Sequence, residues 1–290
     1  MIDPFGRRID YLRVSVTDRC NLRCVYCMPA EGLPLVSHDD ILRYEEIAEV
    51  VREAADLGVT KVRLTGGEPL TRRNIESLIV LLARIDGVRD LAMTTNGTLL
   101  APRAVTLKAA GLMRVNVSLD SVDPDRYAEI TRGRCAARDD GTEAPDAGAC
   151  SAAVRRSPGL KDVLAGIDAA LAAGLTPVKL NCVIERSVDE PDARGVADYA
   201  RRRGLEVRFI PRMDLATGRF GQVVGGDGGA CGRCSRLRLT SDGYLRPCLM
   251  SDVGFSVREL GPREAISLAV KSKPEAGGVC EKHWIRRIGG

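Results

Sequence analysis

The chain has 290 residues, with 43 Lys and Arg against 39 Asp and Glu and a formal net charge of +4. That near balance excludes a general nucleic-acid or membrane surface but leaves room for a local basic pocket. No apolar run reaches membrane-spanning length and residues 1–10 lack a signal-peptide core, so the expectation is a cytoplasmic protein with no nucleic-acid or membrane partner.

Short β-like runs alternate with longer helical patterns. Tyr11 to Thr17 predicts a strand, followed by a loop with Cys20, Cys24 and Cys27. Ile47, Val50, Val51, Ala54 and Leu57 make a helical stripe. Lys61 to Thr65 predicts a second strand, and Ile75, Leu78, Ile79 and Leu82 a second helix. Leu91 to Thr95 is strand-like, Pro102 to Ala110 helical, Met113 to Leu119 strand-like and Pro124 to Ile130 helical. Leu160, Val163, Leu164, Ile167 and Leu171 form a further stripe. Val178 to Ile184, a helix at Pro191 to Arg203, and Glu206 to Ile210 complete six strand–helix units. Alternation of this kind implies an α/β fold with a parallel sheet. Six units suit a partial (β/α)6 TIM-like barrel with one open side rather than a closed eight-fold barrel. Such folds carry reactive groups on loops after the strands, where the first cysteine loop sits. Gly133 to Pro158 reads as a surface insertion, and Gly218 to Gly229 as a glycine-rich linker. The expected division is a barrel over 1–217 and, over 218–290, a C-terminal region with the glycine-rich linker, further cysteines and a Gly-Gly tail.

The ten cysteines fall in two tight clusters plus singletons, and a cytosolic setting favours metal ligation over disulfides. The two histidines, His38 and His283, are too few for histidine-based zinc catalysis to be the natural reading. Cys20, Cys24 and Cys27 have C-x3-C-x2-C spacing. Three thiolates on one loop can hold three irons of a [4Fe–4S] cube and leave the fourth open to a small molecule. A structural zinc site would take a fourth ligand, which the segment lacks. Thr65-Gly66-Gly67-Glu68-Pro69 closes the second strand. Its glycines let a polar group approach the backbone, and Glu68 could accept from an ammonium; an ordinary strand-to-loop turn is the alternative. Cys231, Cys234 and Cys248 form a second triplet, for a cluster or for a zinc knuckle completed by Cys280 or another residue. If Arg236 to Thr240 is a strand, Arg236 and Arg238 share one face and suit a polyphosphate; a solvated edge strand is the alternative.

C-x3-C-x2-C followed by Gly-Gly-Glu-Pro resembles the signature of radical S-adenosylmethionine enzymes. Further segments resemble the GTP 3′,8-cyclase family of molybdenum-cofactor biosynthesis. They include Tyr11 to Cys20, Lys61 to Pro69, Thr94 to Gly97, Val115 to Ser121, Val178 to Asn181, Arg208 to Ile210, Arg236 to Thr240 and Ile288 to Gly290. The resemblance implies two [4Fe–4S] clusters, on Cys20, Cys24 and Cys27 and on Cys231, Cys234 and Cys248. It implies that Gly66, Gly67 and Glu68 hold the methionine amine of S-adenosylmethionine, with Tyr26, Ser118 and Met213 as further cofactor contacts. Arg13, Arg63, Thr94, Lys179, Arg236 and Arg238 would line the GTP site, and Arg13 with the tail residues Gly289 and Gly290 would serve catalysis. A 5′-deoxyadenosyl radical would take hydrogen from ribose C3′, and the carbon radical would close on C8 of guanine. Implied partners are a flavodoxin or ferredoxin electron donor and a downstream pyranopterin-forming enzyme, with a homodimer allowed.

The sequence also departs from the family. The stretch between Ile210 and Cys231 is short, Pro211 stands where the family has Glu, and Ser235 where it has Asn. These departures bear on the substrate and the second cluster and leave the S-adenosylmethionine chemistry untouched, so a divergent radical enzyme acting on a peptide or another nucleotide stays open; a non-catalytic zinc or iron–sulfur scaffold is a separate alternative. Cys182 reads as a small buried residue, and Cys135 and Cys150 as exposed thiols.

Overall fold

The structure is a computed structural model that describes residues 1–32, 34–132, 159–214 and 216–280. The insertion with Cys135 and Cys150, and the tail with Gly289 and Gly290, lie outside the described residues.

Six parallel strands alternate with helices in chain order. They are β1 (Tyr11–Ser15), α1 (Tyr44–Asp56), β2 (Lys61–Thr65), α2 (Ile75–Ala83), β3 (Asp90–Thr95), α3 (Ala104–Ala109), β4 (Arg114–Ser118), α4 (Pro124–Thr131), α5 (Leu160–Ala172), β5 (Lys179–Ile184), α6 (Pro191–Arg203) and β6 (Glu206–Pro211). The partial α/β barrel expected from the alternation is therefore the fold observed. Several boundaries differ by a residue, and two differ for local reasons. The first strand stops at Ser15, although the Val16 amide still donates to Thr65 O at 3.0 Å. Ahead of α3, Ala101–Arg103 is a 3₁₀ turn rather than α-helix, with Pro102 in its first turn. At α4, Pro124 sits in the first turn and the Asp123 carboxylate accepts from the Arg126 amide at 2.8 Å, satisfying one otherwise unpaired helix-end donor.

The helical stripes bury as the periodicity requires. Ile47, Val50, Val51 and Ala54 of α1 and Ile75, Leu78, Ile79 and Leu82 of α2 are buried, as are Leu160, Val163 and Ile167 of α5. They pack on the apolar face of the sheet, with Leu12, Val14, Leu64, Met93, Val117 and Leu180 in one continuous core. Each such side chain contributes roughly 1.5–3 kcal/mol by leaving water. Alternation then turns Arg13, Arg63, Thr94, Asn116 and Asn181 to the opposite face, where they line the barrel interior.

The sheet continues past β1. β7 (Arg236–Leu239) pairs parallel with β1, and β8 (Tyr244–Arg246) and β9 (Phe255–Ser256) follow antiparallel, giving the order β6-β5-β4-β3-β2-β1-β7-β8-β9. Two short helices, α7 (Val257–Leu260) and α8 (Pro262–Lys271), end the described chain, and α8 packs on α1. Between β6 and β7 the glycine-rich stretch is laid along the sheet edge. Phe209 and Val224 form an antiparallel bridge with both N–H···O distances at 3.0 Å, and Asp214 bridges Arg219. Since β6 and β7 lie at opposite edges of the parallel barrel strands, this strap must cross the open side. Among the described residues no helix is long and apolar enough to span a membrane.

Candidate active site

The first cysteine loop leaves the C-terminal end of β1 and is closed by its own backbone. The Cys27 amide donates to Cys24 O at 2.9 Å, and the Leu22 amide donates to the Cys20 sulfur at 3.4 Å. The loop after β2 is laced to it, with the Gly67 amide donating to Thr17 O and the Glu68 amide to Arg19 O, both at 2.7 Å. This contact explains the two glycines. A Cβ at Gly66, whose φ is +148°, would fall 2.5 Å from Thr17 O, and one at Gly67 would fall 2.2 Å from Arg19 O. The glycines expected to admit a ligand's polar group are thus required by the neighbouring backbone as well.

Cys20, Cys24, Cys27, Tyr26, Gly66, Gly67, Glu68, Ser118, Met213, Arg13 and Thr94 all line one cavity of about 220 Å³. Glu68 is 1% exposed. Its carboxylate accepts from Thr95 Oγ1 at 2.7 Å and from the amides of Asn96 at 2.6 Å and Leu70 at 3.0 Å. Burial pushes this carboxyl up to about 7 against the pull of those bonds. Tyr26 Oη donates to Asp120 Oδ2 at 2.6 Å, while Asp120 Oδ1 accepts from the Val183 amide at 2.8 Å. Asp120 lines the same cavity and was not singled out from sequence, although it stands two residues after Ser118 in a matched segment. Burial, and then the charge of Glu68, push the Cys20 thiol up to about 12. Burial and the charge of Asp120 push Cys24 up as well.

The second triplet repeats the first one's local construction. The Cys234 amide donates to Cys231 O at 3.1 Å, and the Met250 amide donates to the Cys248 sulfur at 3.4 Å. The β7–β8 hairpin pairs Arg238 with Arg246, which brings Cys234, just before β7, beside Cys248, just after β8. All three thiols line a cavity of about 160 Å³ together with Arg13, Arg236, Arg238, Met213 and Lys273. Burial pushes the Cys234 thiol up, but the Lys273 ammonium, the Arg236 amide and the charges of Arg236 and Arg238 outweigh it and bring it below its ordinary value. Cys280 lies outside this cavity. It is 1% exposed and donates to Asp252 Oδ1 at 3.3 Å.

Because β7 runs parallel to β1, the two triplets lie at opposite ends of the sheet. Cys20 follows the C-terminal end of β1, and Cys234 precedes the N-terminal end of β7. The expectation that reactive groups gather after the strands therefore describes only the first triplet.

Beside the second triplet, at the N-terminal ends of β1 to β4, lies a cavity of about 460 Å³ lined by Arg13, Lys61, Arg63, Arg114, Arg208, Arg233 and Arg236, with Asp90 and Asp227 also in its wall. Strand register sets Arg63, Arg13 and Arg238 side by side on β2, β1 and β7, Arg63 and Arg13 lining this cavity and Arg238 the one with the second triplet. Among the described residues, Nε of Arg63 and Nε of Arg208 are buried with no hydrogen-bond partner. Burial of the guanidinium and the charge of Arg63 both lower the Arg208 proton affinity. Burial and then Arg236 bring Arg238 down to about 10. Orphaned buried donors beside like charges mark a site built for an anion. Arg13 and Ile210 line all three cavities, which makes them parts of one chamber. Lys179 shares the interior face of β5 with Asn181 but lines none of the three; its ammonium is held by Glu206 at 2.5 Å. Arg208 and Arg233 were not singled out as site residues, and only the fold brings them to this chamber.

The donor set fits iron–sulfur cubes. Among the described residues no three His, Cys, Asp or Glu side chains are gathered to hold a single metal ion. Each triplet instead stands around a cavity, as one thiolate per iron requires.

Comparison with known proteins agrees. The model of the Radical SAM superfamily matches residues 14–200. The GTP 3′,8-cyclase of Moorella thermoacetica is 42% identical over 310 positions, covering 91% of this chain and 88% of that protein. The GTP 3′,8-cyclase of Pelotomaculum thermopropionicum is 41% identical over 349 positions, covering 100% of both. As this chain has 290 residues, that relative carries positions this one lacks. The solved structure of anSMEcpe with bound AdoMet shares the fold at a TM-score of 0.59 and 15% identity, covering 97% of this chain and 88% of that one. The chain belongs to the radical SAM superfamily, whose members use a [4Fe–4S] cluster and S-adenosylmethionine, and within it to the GTP 3′,8-cyclase family.

Proposed function

We propose that this chain converts GTP to (8S)-3′,8-cyclo-7,8-dihydroguanosine 5′-triphosphate, an early step towards the molybdenum cofactor. The observation that carries this is the near full-length likeness to GTP 3′,8-cyclases, joined to adjoining cavities lined by both cysteine triplets and by arginines. In this reading the barrel of residues 1–217 generates the radical, and residues 218–290 supply the second cluster and complete the nucleotide site.

Cys20, Cys24 and Cys27 would hold the first cluster, and Cys231, Cys234 and Cys248 the second. When bound, the first cluster and S-adenosylmethionine supply an electron and a primary carbon radical able to take hydrogen from a ribose carbon. The chain's own residues have the tasks of holding and shielding. Gly66, Gly67 and Glu68 border the place for the methionine amine, and Tyr26, Ser118 and Met213 line the rest of that cavity. The Glu68 oxygens already serve Leu70, Thr95 and Asn96, so the carboxylate also fixes the loop it stands on. Arg13, Arg63, Thr94, Arg236 and Arg238 would bind GTP, the arginines gripping phosphate oxygens with charge-assisted bonds. Lys179 would join them by exchanging Glu206 for phosphate. Gly289 and Gly290 would enter the chamber from the tail. An unselective radical demands a substrate held rigidly and apart from water, and the cations lining these cavities serve the holding.

The test is anaerobic incubation of the reconstituted protein with GTP, S-adenosylmethionine and reductant, read by mass spectrometry. A cyclic guanine nucleotide is the expected product. Release of 5′-deoxyadenosine with GTP unchanged would instead point to a different substrate.

A further inference from the structure

Two buried cations outside the GTP-binding set stand against the backbone of the second cysteine triplet. Lys273 follows α8 closely and is 3% exposed. Its Nζ donates to Arg236 O and to Pro247 O, both at 2.7 Å. Those carbonyls lie two residues after Cys234 and one before Cys248. The ammonium also lines the cavity that holds all three thiols. Arg7 is 8% exposed and bonds on three sides. Its Nε meets Asp3 Oδ2 at 2.6 Å, Nη1 donates to Cys231 O and to Glu275 O, both at 2.8 Å, and Nη2 donates to Pro274 O at 2.6 Å. One cation thus fixes the backbone at the first cysteine, and the other fixes the backbone beside the second and third. Asp3 neutralises Arg7. Among the described residues no carboxylate is paired with Lys273. A buried ammonium without a carboxylate is costly unless negative charge arrives from elsewhere, and three thiolates with a cluster would bring it.

We propose that Lys273 is a positioning residue of the second cluster. It fixes the backbone on either side of the β7–β8 hairpin, with Arg7 as its counterpart at Cys231, and its charge favours the reduced cluster. This rests on the reading that the second triplet carries a [4Fe–4S] cube. A cluster's potential depends on net charge and on bonds to its sulfurs, so a fixed positive charge in the same cavity raises it.

The test uses the full chain with Cys20, Cys24 and Cys27 all changed to Ala, so that only the second cluster signals. Anaerobic reconstitution should give about four irons per chain and a low-temperature paramagnetic signal on dithionite reduction. Absence of iron would overturn the second-cluster reading itself, and the role of Lys273 with it. Given iron, Lys273→Gln can still donate to both carbonyls but lacks the charge. Its midpoint potential should fall with the iron count unchanged, and Lys273→Arg should return it towards the parent value. A Gln variant that keeps its iron and the parent potential would overturn the proposal and leave the second-cluster reading standing. Lys273→Met, which also loses the two bonds, should release iron to a chelator faster than Lys273→Gln. Equal release would overturn the positioning role.

Discussion

The two cysteine triplets share a local construction and differ in the charges that border it. Each closes a C-x2-C turn by an amide-to-carbonyl bond between its cysteines, and each has one sulfur accepting from the amide two residues on. Yet Glu68 and Asp120 border the first, while Arg236, Arg238 and Lys273 border the second. Burial and then negative neighbours disfavour thiolate formation at Cys20 and Cys24, whereas at Cys234 the positive neighbours and the Arg236 amide outweigh burial. By the same electrostatics, a cluster among carboxylates is a stronger reductant, and one among cations better tolerates added negative charge. The first surrounding suits delivery of an electron to a sulfonium. The second suits a neighbour as anionic as a nucleoside triphosphate. Identical ligands can therefore be assigned different work by the charged residues around them.

The sharpest way to break this contrast is to remove one ligand at the reducing end. Cys24→Ala should abolish 5′-deoxyadenosine formation, measured by chromatography under anaerobic reduction; full activity would dismantle the radical reading. Next come Arg236→Ala and Arg238→Ala at the cationic end. Each should weaken GTP binding roughly 10- to 100-fold, the range for hydrogen bonds to charged groups, while cofactor cleavage persists. Calorimetric titration of GTP decides this, and unchanged affinity would move the triphosphate elsewhere. A comparable effect, on stability rather than on binding, is expected for Tyr26→Phe, which leaves Asp120 Oδ2 without its phenol partner. The cost should be about 1–3 kcal/mol of stability, read from denaturant melts.

A control far from both triplets sets the scale. Arg258 bonds Glu46 at 2.8 and 3.1 Å, tying α7 to α1. The hydrogen bond from Arg258 holds the Glu46 carboxyl at about 2, against an ordinary value of 4.5. A carboxyl depressed in the folded state stabilises above its unfolded value, and that contribution is lost as pH falls from about 4.5 to about 2. Glu46→Gln should therefore cost about 1 kcal/mol or less at neutral pH. The difference from the parent, followed by thermal melts, should shrink to nothing near the acid end.

Much of the barrel was legible because strand and helix periods are local properties. Ile47, Val50, Val51 and Ala54 bury as their spacing requires. The β7 partnership was not legible, because which strand lies beside β1 depends on a crossover closed by tertiary packing. It was this pairing that carried the second triplet to the far end of the chamber. Candidate residues with a chemical signature, the cysteines and the Gly-Gly-Glu run, could be named from sequence. Asp120, Arg7 and Lys273 could not, since nothing local separates a buried partnered charge from a solvated one. Lys179 shows the converse, as its place on the interior face does not disclose that Glu206 on the next strand already holds it.

The pairing of Arg13 with Arg63 on one side and Arg238 on the other has a consequence for variation in this chain. Side chains along a strand alternate between faces, so a one-residue insertion in β1 would turn Val14 into the chamber and Arg13 into the apolar core. Fold and chemistry would fail together. The hydrogen-bond ladder of a single five-residue strand thus acts as the ruler that keeps the guanidiniums in line.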